Sequence, residues 1–333
     1  MKVLITGGFG NVGRRVLDQA RARGHLVSVL EADSRRNRRR ARRVEAVARI
    51  YLGDIRDRDL VRRAAAGQDA VIHMAGILPP ASERRKELCR SVNVDGTRIL
   101  VEALREQVAP ASLVFISSAS VMGRTQDREP PVRAEDPVHP ETHYARTKVE
   151  AEAVVAGSGL RYCVLRLGAV MPTRVPSALD AFAEELFAIP LDVRCEIVVD
   201  VDAAAACLNA AERLAAGARI DGQVFFIGGG GRNGCQMRAR DMLQGVFGSV
   251  GLWLPEPSLF ADDRAGYSLD WYDTEESQKA LHFQNHTFDE YRRIISRKSG
   301  VLRPLVWLLR PLIEGLIASK SPHGGRAASS ARA

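Results

Sequence analysis

No two of the five cysteines in this 333-residue chain form a CxxC pair. Cys89, Cys163, Cys195, Cys207 and Cys235 are scattered, so metal-ligand spacing is absent and no metal site is expected. A chain long enough to bury a sizeable core does not need a disulfide framework, and the thiols read as reduced in a cytoplasmic protein. A long uninterrupted apolar run is also missing. The greasiest stretch, residues 303–316, is broken by Arg310, Glu314, Pro304 and Pro311, which argues against a spanning helix. Met1–Thr6 runs straight into a strand-like segment with no basic-then-apolar leader, so nothing is expected to direct the protein out of the cell. Aromatic residues are only 6% of the chain, and none interrupts its densest basic run, seven arginines within residues 35–43. Without that run the formal charge falls from +8 to +1, so a nucleic-acid partner is not expected. The run reads as a solvated loop or helix face, or else as an anion site.

What is present is an alternation of strand and helix signals. Val3–Ile5, Val27–Leu30, Ala70–His73, Leu113–Ile116 and Cys163–Leu167 are short and apolar on both sides, as strands covered on both faces must be. Between them lie helical segments at Arg14–Arg23, Asp57–Ala66, Gly96–Gln107 and Tyr144–Ala156. Repeated βα units predict an α/β fold, a doubly wound parallel sheet of the Rossmann type. After Arg166 prolines 172, 176 and 190 and the glycines at 228–231 weaken the pattern. The expected organisation is a dinucleotide-binding domain over 1–170, then a smaller discontinuous substrate lobe over 171–320 with segments returning to the sheet. A disordered tail is expected over 321–333. Ala203–Leu214, almost all apolar, reads as one helix, with Asp200 or Asp202 as its N-cap.

Thr6–Gly13 (TGGFGNVG) sits between the first strand and first helix. Gly7, Gly10 and Gly13 suit a tight turn, a close approach of backbone to pyrophosphate and close helix packing. Asn11 and Val12 then open a helix whose free N–H groups favour phosphate. Glu31, just past the second strand, can accept hydrogen bonds from adenosine ribose hydroxyls and disfavours a 2′-phosphate, so the expected cofactor is NAD. Arg35 and Arg36 lie close enough to pair with such a phosphate, which keeps NADP as the alternative.

These residues and those that follow resemble an extended short-chain dehydrogenase/reductase, the NAD-dependent epimerase/dehydratase family. Gly53-Asp54-Ile55 is similar to its adenine-contacting segment, His73–Gly76 to the strand end lining the cofactor, including Ala75, and Asn93–Thr97 to its NxxGT helix start. Ser117–Gly123 resembles SSxxVYG and Tyr144–Lys148 matches YxxxK. Leu269–Phe283 weakly resembles a late family segment. The resemblance implies Tyr144 as proton donor and acceptor, Lys148 lowering its pKa and contacting the nicotinamide ribose, and Ser118 holding the substrate oxygen. Asn93 would support the cofactor cleft or a water near Lys148. His73 and His143 read as packing or capping residues. Four residues apart on a helix, Tyr144 and Lys148 share a face.

The departures bear on substrate. Where nucleotide-sugar members of the family have RxxNxYG, this chain has Arg166–Pro172 with Ala169 at the Asn position. The family's RDxxxVxD has become Arg194–Asp202, and the Tyr of SSxxVYG is Met122. The reading these changes favour is an oxidoreductase acting on a carbonyl, alcohol or enone of a small apolar molecule. A nucleotide-sugar epimerase or dehydratase is the alternative. A non-catalytic dinucleotide-binding regulator is disfavoured by the complete Ser118/Tyr144/Lys148 set. Residues 301–319 read either as a helix packed on the protein or a homodimer partner, or as an amphipathic segment at the inner membrane surface.

Overall fold

The computed structural model describes residues 1–174, 186–262, 267–300 and 303–323. Pro176 and the tail expected over 321–333, beyond His323, lie outside them. Seven parallel strands form the main sheet in the order β3-β2-β1-β4-β5-β6-β9. They are β1 (Lys2–Thr6), β2 (Leu26–Glu31), β3 (Arg49–Leu52), β4 (Ala70–His73), β5 (Ser112–Ser118), β6 (Tyr162–Leu167) and β9 (Gln223–Ile227). Strand order reverses between β1 and β4, and the crevice at their carboxyl ends is where such sheets bind ligands.

Alternation along β1 explains the two-sided burial. Val3 and Ile5 face α1 (Asn11–Ala22) and the helix Asp200–Ala215, whereas Leu4 faces α3 (Arg58–Ala65), α6 (Gly96–Arg105) and α7 (His143–Ala156). The long helix starts at Asp200 rather than Ala203. Ala203, Ala204, Ala206, Ala210, Ala211 and Cys207 are buried where the helix meets α1, β4 and β5, and their small side chains let helix and sheet approach closely.

The structure corrects the capping expectation for that helix. Val199 is its N-cap, and Asp200 and Asp202 are buried first-turn residues. Asp200 pairs with Arg15 Nε at 2.9 Å and accepts the Thr173 hydroxyl. Asp202 takes His286 Nδ1 at 2.6 Å and the backbone N–H groups of Asn285 and His286.

The strands β7 (Ala169–Met171), β8 (Arg194–Val199) and β10 (Gln236–Arg238) make a second, three-stranded sheet. It packs with the helices Ala239–Val250 and Phe288–Ser299 around Val193, Ile197, Leu243 and Tyr291. The helix Arg303–Ala318 lies on this lobe through Val306, Ile313 and Ile317, with Pro311 inside it. No described helix is long and apolar enough to cross a membrane.

Candidate active site

Gly7 has φ +73°, and a Cβ there would lie 2.9 Å from the Ala75 nitrogen. The glycine loop is thus pressed against the backbone of the segment leaving β4, which leaves no room for a side chain at Gly7. A Cβ on Gly13 would meet the Gly7 carbonyl oxygen at 2.3 Å, so α1 can start this close to the loop only with glycine. Gly10 is the N-cap of α1 and uses no side chain to cap it. Asn11 and Val12 form the first turn, which carries no acid, so its N–H groups and partial positive charge are available to an anion.

Glu31 ends β2 and turns back to the loop, accepting the Phe9 N–H at 2.8 Å on one oxygen and the Ala32 N–H and Asn37 amide on the other. Asp54 pairs with Arg56 through both carboxylate oxygens, and this neighbour holds its carboxyl below the usual range. Ile55 is buried against Gly96.

The arginine run is partly helical, α2 (Arg35–Ala41), capped by the Ser34 hydroxyl. Arg38 pairs with Asp33, and Arg40 donates to the Phe9 carbonyl at 2.9 Å. Burial and mutual repulsion lower the pKa of both Arg14 and Arg40, with Arg174 and Arg36 among the repelling neighbours. An open groove of about 660 Å³ is lined by Arg35, Arg36, Arg39, Arg40 and Arg43. These cations flank the place where the adenosine end of a dinucleotide would lie, which keeps the phosphate-bearing alternative alive. Sequence reading found the run, Arg40 included, but not Arg14 and Arg174, which the fold brings up to it.

At the other end of the crevice, β5 delivers Ser118 and α7 delivers Tyr144 and Lys148. Lys148 is 4% exposed; its ammonium donates to the Ile116 carbonyl at 2.7 Å and lies over the Phe115 and Tyr144 rings. Burial pulls its pKa down to about 8, against an opposing pull from Glu152. Tyr144 is buried too, which pushes the phenol pKa up, while a hydrogen bond with Ser118 works the other way. Ser118 also bonds Ser120 at 2.9 Å, whereas Ser117 reaches instead to Glu152.

Asn93 clamps the segment after β4 to α7. Its amide oxygen accepts the Ile77 N–H at 2.7 Å, and its nitrogen donates to the Ile77 carbonyl and the Thr147 hydroxyl. His73 is enclosed between Thr6 and Thr97, and burial drives its pKa to about 3, so it stays neutral. His143 bonds the Lys86 carbonyl at the start of α7. Sequence reading missed Glu83, whose carboxylate accepts the backbone N–H groups of both His143 and Tyr144 and so pins the α7 N-terminus. It stands in a single helical turn, Ala81–Arg84, too short to leave a periodic signal.

Two of the substrate arguments change on inspection. Met122 is 1% exposed and packs with Val132, Phe226 and Tyr272, so it lines no cavity and says nothing about the substrate. Arg194 is spoken for: it grips Asp270 at 2.6 and 3.0 Å and the carbonyls of Thr125 and Arg128. Arg166 is likewise held by Glu152 and the Ala134 carbonyl.

The depressed pKa of Lys148 makes a testable cost. A base whose folded pKa lies below its unfolded value destabilises the fold fully below pH 8, and the penalty fades as pH rises toward 10.5. At about 1.4 kcal/mol per pKa unit the penalty is roughly 3 kcal/mol, offset in part by a hydrogen bond worth about 1 kcal/mol. Lys148→Met is therefore expected to stabilise the protein by about 1–2 kcal/mol in urea unfolding at pH 7, with the gain shrinking above pH 9. A less stable variant would show that the ammonium is a net contributor.

Comparison with known proteins agrees with this architecture. Residues 3–219 match the family model described as NAD dependent epimerase/dehydratase family. A UDP-glucose 4-epimerase of Lactobacillus helveticus is 32% identical over 173 residues, 50% of this chain and 51% of that protein. The human sterol-4-alpha-carboxylate 3-dehydrogenase, decarboxylating, is 31% identical over 157 residues, 46% of this chain and 39% of its own length. The chain thus spans about half the length, or less, of these curated relatives. A crystal structure of UDP-glucose-4-epimerase from Stenotrophomonas maltophila, with bound NAD and formylated UDP-arabinopyranose, superposes with a TM-score of 0.73 at 20% identity. That superposition covers 92% of this chain and 99% of the other, which establishes the shared fold. The chain belongs to the NAD-dependent epimerase/dehydratase family.

Proposed function

We propose that this chain carries out net hydride transfer between NAD and a carbonyl, secondary alcohol or enone of a small apolar molecule. The observation that carries the proposal is the convergence of Ser118, Tyr144 and Lys148 at the carboxyl end of the sheet. A bound nicotinamide dinucleotide supplies the hydride acceptor or donor. The cradle fits it: Gly7 and Gly13 leave no room for side chains, and the first turn of α1 presents free N–H groups for the pyrophosphate. Glu31 would meet the adenosine ribose, Asp54 and Ile55 the adenine, and Ala75 and Asn93 the nicotinamide half.

Tyr144 is the group that moves the proton. Its burial keeps the phenol protonated at neutral pH, as a donor to a substrate carbonyl must be. The Lys148 ammonium then stabilises the phenolate left behind. Ser118 donates to the same substrate oxygen and holds it against the phenol. In the oxidising direction Tyr144 must first be ionised, so that direction is favoured as pH rises.

Two features support an apolar substrate. Arg194, in the strand where nucleotide-sugar members of the family keep a diphosphate-binding arginine, is committed to the buried Asp270. A diphosphate would have to break that pair and find other donors. Ala169, in place of the usual Asn, adds no polar group. The second reading, a nucleotide-sugar epimerase, draws on the epimerases among the relatives. Calorimetric titration with UDP, dTDP and GDP in the presence of NAD separates the two. The expected result is no binding at micromolar concentration, and micromolar affinity for any of them favours the epimerase.

A further inference from the structure

The helix Arg303–Ala318 exposes what an amphipathic helix ordinarily hides. Leu305, Leu308, Leu309, Leu312 and Leu316 recur at steps of three and four, which places them in one stripe. All five are exposed, by 37% to 73%. Trp307, at 73% exposure, lies on another face, in line with Arg310 and Glu314. A neighbouring stripe, Val306, Ile313 and Ile317, is the one packed on the lobe.

Two charges within the helix, Arg310 and Glu314, are turned toward the protein. Arg310 lays its guanidinium 3.6 Å from the centre of the Trp253 ring and pairs with Glu314, which accepts the Trp253 N–H at 2.9 Å. Pro311 and Gly315 bring no polar side chain to the outer face. A helix with an apolar inner face and an apolar outer face is normally buried on both sides.

Charge identifies the cover. Between residues 291 and 333 there are nine lysines and arginines and a single acid, Glu314, so this segment holds the chain's entire formal excess of +8. The other 290 residues balance. An apolar stripe in such a basic setting is complementary to a layer that is apolar inside and negative at its surface. A second copy of the chain fits less well. A stripe about 24 Å long and about 10 Å wide offers on the order of 250 Å², against roughly 800 Å² per partner in a stable complex. Two copies would also bring like charges together.

We propose that the helix Arg303–Ala318 docks the protein on an anionic phospholipid bilayer, lying in the interface with its leucine stripe among the acyl chains. The helix lies on the second lobe, so docking holds that lobe against the membrane. This goes beyond the hydride-transfer reading and does not depend on it.

The test is co-sedimentation of the full chain with sucrose-loaded vesicles of phosphatidylcholine, with and without 30% phosphatidylglycerol, at about 0.1 M salt. Partition onto the anionic vesicles is expected to exceed that onto neutral ones by about 10-fold or more, and to weaken as salt is raised. Leu308→Glu/Leu312→Glu is expected to reduce that partition by about 10-fold or more. The substituted leucines are exposed, so the thermal midpoint and NAD affinity are expected to stay at the parent's values. The milder Leu316→Ala should give a smaller loss in the same direction. Equal partition of parent and double variant, or no partition of the parent, would overturn the proposal. So would a parent dimer in light scattering that the double variant abolishes while vesicles bind neither, which would assign the stripe to a second copy.

Discussion

Tyr144→Phe is expected to lower turnover by roughly 10²–10⁴-fold while leaving cofactor affinity within a few-fold of the parent's. The substitution removes the hydroxyl and nothing else. The ring remains packed below Lys148, and the N–H of residue 144 remains bound to Glu83. A buried phenol protonated at neutral pH can be replaced as a proton donor only by water, and Tyr144 is just 8% exposed. Steady-state kinetics together with fluorescence titration of NADH measures both halves. A purified, folded Tyr144→Phe protein with more than about a tenth of parental turnover would remove Tyr144 from the proton path.

Asp270→Ala is expected to cost about 3–5 kcal/mol, the usual consequence of stripping one partner from a buried ion pair. Asp270 is fully buried and the Arg194 side chain is 12% exposed. The carboxylate also accepts the Thr125 hydroxyl at 2.7 Å and the Trp271 N–H at 2.8 Å. Its loss leaves the guanidinium with two backbone carbonyls and only the weaker pull of Glu129 and Asp127. It also unfastens the second sheet, through β8, from the segments around residues 125 and 270. Urea unfolding followed by circular dichroism reads the difference. A cost below about 1 kcal/mol would show that the pair is effectively solvated. The double variant Arg194→Met/Asp270→Leu is expected to recover most of the loss, because the pair's value lies mainly in not leaving one charge alone.

The Rossmann half was legible because its determinants are local. The glycines of Thr6–Gly13 answer to contacts within the loop and with Ala75, and five of the seven strands announce themselves as short apolar runs. Two strands were harder. Arg49–Leu52 begins with a cation and is only partly buried at the sheet edge, and Gln223–Ile227 returns to β6 after the long helix Asp200–Ala215. The Tyr144–Lys148 spacing is likewise a local, helical signal. What sequence could not supply were the partners brought together from afar. Glu83 reaches Tyr144 across 61 residues, Asp270 reaches Arg194 across 76, and His286 reaches Asp202 across 84. Met122 shows the reverse error. Its identity at a family tyrosine position looked informative about substrate, yet the side chain is needed to fill space between Val132, Phe226 and Tyr272.

Net hydride transfer, as opposed to transfer and return within one cycle, is most directly tested with NADH carrying deuterium at C4 of the nicotinamide. The protein is incubated with the labelled cofactor and a panel of small apolar ketones, aldehydes and enones, and products are examined by mass spectrometry. The account predicts a reduced product bearing the deuterium, formed in step with loss of absorbance at the NADH band and abolished by Tyr144→Phe. A catalytically active protein that interconverts a nucleotide sugar without consuming labelled cofactor, its own bound NAD being regenerated each cycle, would contradict it.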